Sequence, residues 1–255
     1  MHKRTALVLG GTSGIGRGIA QSFAAHGAEV TITSRDPDRA ARTAESIGAA
    51  GIPSASGIGL DLCHPEKVAD TLLRHGRSFD VVVLNGPGYR PGRISTATSD
   101  DFASAYGSMF LSLQQVVSAV VDGMKSQQWG RLLYVSSSSV IAPIDELAVS
   151  SVIRSAVNSY LKLLANELAP EGITVNSIIP GRIDTPRVNA VDAARARERG
   201  IEADEVRKGA ESRIPVGRYG TPEDVGELAA FLCSGRADYL TGSAFRCDGG
   251  MTTAL

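Results

Sequence analysis

Short apolar runs alternate with longer stretches of helical spacing along this chain, and the alternation predicts its architecture. "ALVLG" (6–10) is an apolar run closed by glycine, and "GIGRGIAQSFAAHG" (14–27) follows with a helical pattern that Gly27 stops. "AEVTIT" (28–33) is the next strand. "DPDRAARTAESIG" (36–48) is again helical, with Pro37 tolerated in its first turn. Further on, "FDVVVL" (79–84) predicts a strand and 103–126 one long helix. "GRLLYVS" (130–136) is a strand, 150–169 a helix, and "ITVNSII" (173–179) a strand. "TPEDVGELAAFLCS" (221–234) is a helix capped by Thr221 with Pro222 at its first position, and "GSAFRCD" (242–248) is a last strand.

The strands are continuous apolar runs rather than alternating ones. That pattern belongs to a sheet covered on both faces, with parallel strands joined by helical crossovers. The reading is a single-domain α/β chain over 1–255, a doubly wound parallel sheet flanked by helices. One stretch, 186–213, is rich in both charge signs and is expected to be a helical insertion that lids a ligand.

Composition changes this picture little. Hydrophobic residues make up 43% of the 255 and charged residues 21%, with a net charge of −1. Such a balance gives no general affinity for nucleic acid or for an acidic membrane surface. The opening "MHKRTALVLGG" has a basic start, but its apolar run is too short for an export signal, and no stretch approaches a membrane span. Cys63, Cys233 and Cys247 are scattered and odd in number, which fits a reducing cytoplasm. His2, His26, His64 and His75 show no ligand spacing, so no metal site is expected.

The candidate chemistry begins in "LGGTSGIGRGIA" (9–20). Gly10, Gly14 and Gly16 sit between a first strand and a first helix, with Thr12, Ser13 and Ile15 among them. Glycine permits a tight turn there and lets a diphosphate approach backbone N–H groups and the positive end of the helix dipole. Within a βαβ pattern the motif points to a dinucleotide. The second strand ends in Ser34 and Arg35, where an NAD-preferring site has an acid. A guanidinium suits a 2′-phosphate, so NADP(H) is expected over NAD(H).

With these residues in view, the chain resembles the short-chain dehydrogenase/reductase superfamily, in its 3-oxoacyl-carrier-protein-reductase-like branch, nearly end to end. "GGTSGIG" resembles the family's glycine motif, with Leu9 for its usual threonine. Asp61 and Leu62 match the pair that lies along adenine. "VLNGPG" resembles Asn-Asn-Ala-Gly, with Leu84 at the first asparagine and Asn85 at the second, followed by Gly86. "PGRIDT" resembles the family's Pro-Gly-x-Ile-x-Thr, in which Ile183 and Thr185 would meet the nicotinamide carboxamide and Pro180 and Gly181 also border the cofactor. The resemblance also implies a small-molecule substrate and a homodimer or homotetramer, built through helices near 108–128 and 150–169.

The family's reaction uses asparagine, serine, tyrosine and lysine. "GRLLYVSS" places the serine at Ser137. Thirteen residues on, the tyrosine position holds Ser150; four further, the lysine position holds Arg154; the asparagine position holds Met109. A serine hydroxyl is a weaker acid on a shorter arm than a phenol, and a guanidinium keeps its proton. Arg154 can still donate hydrogen bonds to the nicotinamide ribose. Three outcomes stay open. Another acid serves, with Tyr89, Asp145 and Glu146 as candidates. Alternatively, the substrate needs no strong acid, as with an iminium or conjugated acceptor, and Ser137, Ser150 and Arg154 hold developing negative charge. In the third, the protein binds NADP(H) in a non-redox or regulatory role.

Overall fold

The computed structural model describes residues 1, 3–48 and 55–253; His2 lies outside them. Seven strands form one parallel sheet. They are β1 (Thr5–Val8), β2 (Glu29–Ser34), β3 (Ala55–Gly59), β4 (Val81–Leu84), β5 (Gly130–Val135), β6 (Ile173–Pro180) and β7 (Ala244–Cys247), in the order β3-β2-β1-β4-β5-β6-β7. The order reverses at β1, between β2 and β4, and ligands of such sheets bind beyond the strand ends at that point.

Helices cover both faces. They are α1 (Gly14–Ala25), α2 (Pro37–Gly48), α3 (Pro65–His75), α4 (Ser99–Tyr106), α5 (Ser112–Ser126), α6 (Ala148–Leu168), α7 (Pro186–Arg199), α8 (Ala203–Glu211) and α9 (Pro222–Leu232). One apolar layer joins β1, β2, β4 and β6 to α1 and α9, through residues such as Phe23, Ile32, Val83 and Val225. The other packs the opposite face against α3, α5 and α6, with Leu7, Leu84, Leu132 and Leu161 among its members. Every residue of β1 from Ala6 on, and all of β4, β5 and β6, is buried, which is why those strands are mostly apolar, with Arg131, Thr174, Asn176 and Ser177 as buried polar exceptions.

Two elements lie where no pattern predicted them. β3 is "ASGIG", with two glycines and no apolar run. It forms because Gly57 lets α2 come close: a Cβ there would stand 2.5 Å from the backbone nitrogen of Ala41. α3 starts at Pro65 and stops at Gly76, whose φ of 70° is a left-handed C-cap. The long helix expected over 103–126 is two helices joined by a π-helical turn over Gly107–Leu111. The charged stretch 186–213 forms α7 and α8, folded against each other beyond the end of β6.

α9 shows how local sequence sets the ends. The Thr221 hydroxyl accepts from the Asp224 amide and the Asp224 carboxylate accepts from the Thr221 amide, with Pro222 at the first position. Among the described residues no helix is long and apolar enough to cross a membrane, and no cluster of three His, Cys, Asp or Glu side chains could hold a metal ion.

Candidate active site

The β1–α1 turn is built by close approach. Gly10 has φ +60° and Gly14 φ +51°, backbone conformations that cost a side chain energy. A Cβ on Gly16 would collide with the Gly10 carbonyl and stand 2.7 Å from Asn85 Nδ2. Asn85 in turn donates through Nδ2 to the Leu9 carbonyl at 3.1 Å, tying the end of β4 to the turn. Ser13 is the N-cap of α1 and makes no side-chain cap, so its hydroxyl is available to a ligand. Thr185 closes the same corner from β6: its Cγ2 lies 3.2 Å from a Cβ placed on Gly14, while its hydroxyl caps α7 through the Val188 amide.

A cleft of about 520 Å³ runs along these strand ends. It brings together Gly10, Thr12 and Ser13 from the turn, Ser34 and Arg35 from β2, Asp61 and Leu62 after β3, and Asn85 and Gly86 after β4. Arg39, in the first turn of α2, and exposed Cys63 line it too, and neither was singled out from the sequence. The available signal was a second arginine four residues after Arg35, in the first turn of α2. Asp36 carries no ligand role in this geometry: its carboxylate caps α2 through the Asp38 and Arg39 amides at 3.0 and 3.1 Å. The glycine cradle and this elongated cleft fit a dinucleotide. Pro180 ends β6, and Gly181 is packed so closely that a Cβ would meet Asp248 Cβ at 2.7 Å. Ile183 is 2% exposed.

The residues expected to carry the chemistry stand at the end of β5 and the start of α6. Ser137 follows β5, and its Oγ accepts from the Ser139 amide at 3.2 Å. Ser150 is the third residue of α6 rather than its cap, and it is 6% exposed. Its Oγ accepts from Arg154 Nε at 3.3 Å. Arg154 Nη1 donates to the Tyr134 hydroxyl at 3.1 Å and to the carbonyls of Val135 and Ser136 at 3.2 and 3.4 Å. Nη1 thus pins the guanidinium to the end of β5, and Nε holds it to Ser150 on its own helix, with Nη2 left over. Tyr134 was not singled out from the sequence. Burial pushes its phenol up, and Arg154 beside it pulls the other way. At 2% exposure it reaches no substrate, so it positions Arg154. Asn158, one turn along α6, bridges the Ser136 and Ser177 hydroxyls at 2.9 and 3.1 Å and locks α6 to β5 and β6.

Met109 sits in the π turn, 2% exposed, in a small apolar cluster with Ala105, Val149 and Ile153. A side chain that would order a polar atom is here a packing element. Tyr89 packs on that cluster and donates its hydroxyl to Asp101 at 2.8 Å. Asp101 is held far below the usual carboxylate range by the Thr98 amide first, then by Arg90 and Tyr89. Asp145 and Glu146 are exposed, and Asp145 lines a separate apolar cleft against the outer side of α6. These three alternative acids are therefore committed elsewhere or face solvent.

A family profile described as enoyl-(acyl carrier protein) reductase matches residues 10–252. The chain belongs to the short-chain dehydrogenase/reductase superfamily. It is similar to the L-2,3-butanediol dehydrogenase of Corynebacterium glutamicum, at 31% identity over 97% of this chain and 98% of that one. The 3-oxoacyl-[acyl-carrier-protein] reductase of Aquifex aeolicus is 29% identical over 98% of both chains. Among solved structures, the L-sorbose reductase of Gluconobacter frateurii, complexed with NADPH and L-sorbose, superposes with a TM-score of 0.93 at 26% identity, covering 100% of this chain and 98% of that one. The expected fold and the oxidoreductase class both stand. The cleft lies at the β1 switch point, and Ser137, Ser150 and Arg154 meet at the end of β5 and the start of α6.

Proposed function

We propose that this protein is an NADP(H)-dependent oxidoreductase of a small carbonyl or related unsaturated compound whose reaction needs no strong side-chain acid. One observation carries the reading: the cleft that holds the glycine turn also holds Arg35 and Arg39, two guanidiniums at the β2 end where a 2′-phosphate would lie. The NADPH bound to the L-sorbose reductase supports it.

In this reading Gly10, Thr12, Ser13, Gly14, Ile15 and Gly16 receive the diphosphate at the N-terminus of α1. Ser34 and Arg35 take the 2′-phosphate, Asp61 and Leu62 lie along adenine, and Asn85 and Gly86 border the ribose. Pro180, Gly181, Ile183 and Thr185 hold the carboxamide. The nicotinamide, when bound, supplies or accepts the hydride. Ser137 donates a hydrogen bond to the oxygen of the reacting group. Arg154, kept cationic, meets the nicotinamide ribose and developing negative charge through Nη2, and Ser150 steadies its Nε. A guanidinium does not release its proton at working pH, so solvent supplies the proton that completes a reduction. Residues 186–213 form the lid over the substrate. We further assign a homodimer or homotetramer, for which Val152 and Leu163 on α6, 49% and 70% exposed, offer apolar contact surface. A cytoplasmic setting fits this assignment.

The test is Arg35→Glu, read by direct titration of both nucleotides. Loss of a charge-assisted phosphate contact is expected to weaken NADPH by about 10- to 100-fold and NADH far less. Equal weakening of the two would remove Arg35 from the 2′-phosphate site. Turnover is then followed across ketones, imines and conjugated acids. NADPH binding with no turnover of any class would favour the non-redox reading instead.

A further inference from the structure

The lid carries a cation that has no counter-charge. Around the strand ends, arginines come with acids: Arg182 pairs with Asp192, Arg207 with Asp184 at 2.9 Å, and Arg218 with Asp224 at 2.8 Å. Arg187, in the first turn of α7, has no ion-pair or hydrogen-bond partner among the described residues. Asp184, three residues away, is already taken by Arg207 and by Asn189.

The position of Arg187 is specific. Its guanidinium lies against Gly88, so closely that a Cβ on that glycine would overlap Nη1 and Nη2 and stand 2.7 Å from Cζ. Gly88 itself lines the nucleotide cleft with Gly10 and Asn85. Although Arg187 as a whole keeps solvent contact, the loss of water around its head lowers its pKa, and the charge of Arg154 lowers it further. The two guanidiniums thus act on each other, and neither has an ion-pair partner among the described residues, an arrangement that repels in water and becomes favourable when an anion enters. In the pose proposed above, the dinucleotide's charges have other partners: its diphosphate would meet the α1 N-terminus, and its 2′-phosphate would meet Arg35 and Arg39 across the cleft.

We infer that Arg187, with Arg154, forms a seat for a carboxylate of the substrate, held between the lid and the Gly86–Gly88 loop. The inference rests on the oxidoreductase reading above and narrows it: the reducible group is carried by a small acid. A planar two-oxygen anion matches the forked donors of a guanidinium, which a neutral sugar or ester does not. A carboxylate fixed there also positions the neighbouring carbonyl or alkene beside Ser137, and stabilises charge where the usual phenol is missing.

The experiment uses the full chain saturated with NADP⁺ and four probes: 2-oxobutyrate, crotonate and their methyl esters. Binding is read by calorimetry, and nucleotide affinity is read separately by NADPH fluorescence. The wild type should bind each acid about 10- to 100-fold more tightly than its ester. Arg187→Gln should erase that preference and leave the NADPH dissociation constant within about twofold. Gly88→Ala, which keeps the charge but displaces the guanidinium, should reduce the preference in the same direction. Acid and ester bound alike, or neither bound, overturns the seat. So does an Arg187→Gln variant that loses NADPH affinity while its acid preference persists, since the arginine then serves the nucleotide. The two readings separate cleanly. Acid preference without turnover of any substrate keeps the seat and sinks the oxidoreductase; turnover of esters and acids alike does the reverse.

Discussion

The two regions of the proposed site are built on opposite principles. At the nucleotide end, backbone does the work: Gly10, Gly14 and Gly16 leave space, and Asn85 ties two strand ends together. The reaction end is crowded with side chains. Met109 is packed among Ala105, Val149 and Ile153, and Arg154 is held by four acceptors. A binding surface made of backbone tolerates few changes, because each glycine answers a steric limit. A reaction centre made of side chains can be refitted one residue at a time, provided that each new side chain finds partners. In the function proposed above, this chain keeps the first kind of surface and has refitted the second.

The hardest blow to that contrast falls on Gly16. In Gly16→Val the new side chain meets the Gly10 carbonyl and Asn85 Nδ2, both parts of the turn, so the turn must open. NADPH affinity is expected to fall by at least about 100-fold, roughly 2.7 kcal/mol. Fluorescence titration measures it. A variant that binds within tenfold of the wild type would mean that the turn does not cradle the nucleotide.

Met109→Asn probes the refitted end, with a smaller effect. If Met109 is now core, restoring an amide buries a polar group in an apolar cluster and removes packing. The expected cost is about 2–3 kcal/mol, which for a chain of this size lowers Tm by about 4–12 °C. NADPH affinity should not change, since Met109 does not line the nucleotide cleft. Calorimetry with and without nucleotide checks both statements. A rise in turnover with no loss of Tm would show that the position is still a working polar site.

How far the sequence could foresee this molecule follows the same division. The buried strands announced themselves because continuous apolar runs have few other uses, and the glycine turn because its spacing sits between a strand and a helix. β3 was invisible, since its strand status comes from lying between β2 and the close passage of α2 over Gly57, not from its own residues. The π turn within 103–126 broke a helix whose apolar spacing gave no sign of it. At the site, Ser150 and Arg154 were legible as substitutions, but their hydrogen bonds were not. Tyr134 is twenty residues from Arg154 on a different element, and it read as one more buried strand residue. Arg187 likewise read as one charge among many in 186–213. Its meaning appears only when the acids around it are found to be already occupied.

Tyr134→Phe is the gentlest test, and it separates positioning from packing. The ring stays, so the core loses no volume, and Arg154 loses one acceptor of four while the Val135 and Ser136 carbonyls and Ser150 Oγ remain. The loss is expected to be about 0.5–1.5 kcal/mol, or about 2- to 10-fold in kcat/KM, with KM for NADPH nearly unchanged. A second readout comes from alkaline unfolding. Burial pushes the Tyr134 phenol above its ordinary value, so the unfolded chain ionises first. Tyr134 therefore contributes fully below about pH 10 and progressively less as pH rises from there through its folded pKa. Phenylalanine has no proton to lose, and the variant should show a shallower loss of stability above pH 10, although Tyr160 and Tyr219, also raised by burial, keep part of that slope. If kcat/KM stays at the wild-type value while the alkaline slope flattens as expected, Tyr134 is a packing residue whose hydroxyl does nothing for Arg154. A fall in kcat/KM without any change in NADPH binding is the signature of a guanidinium that has lost its aim at the reacting group.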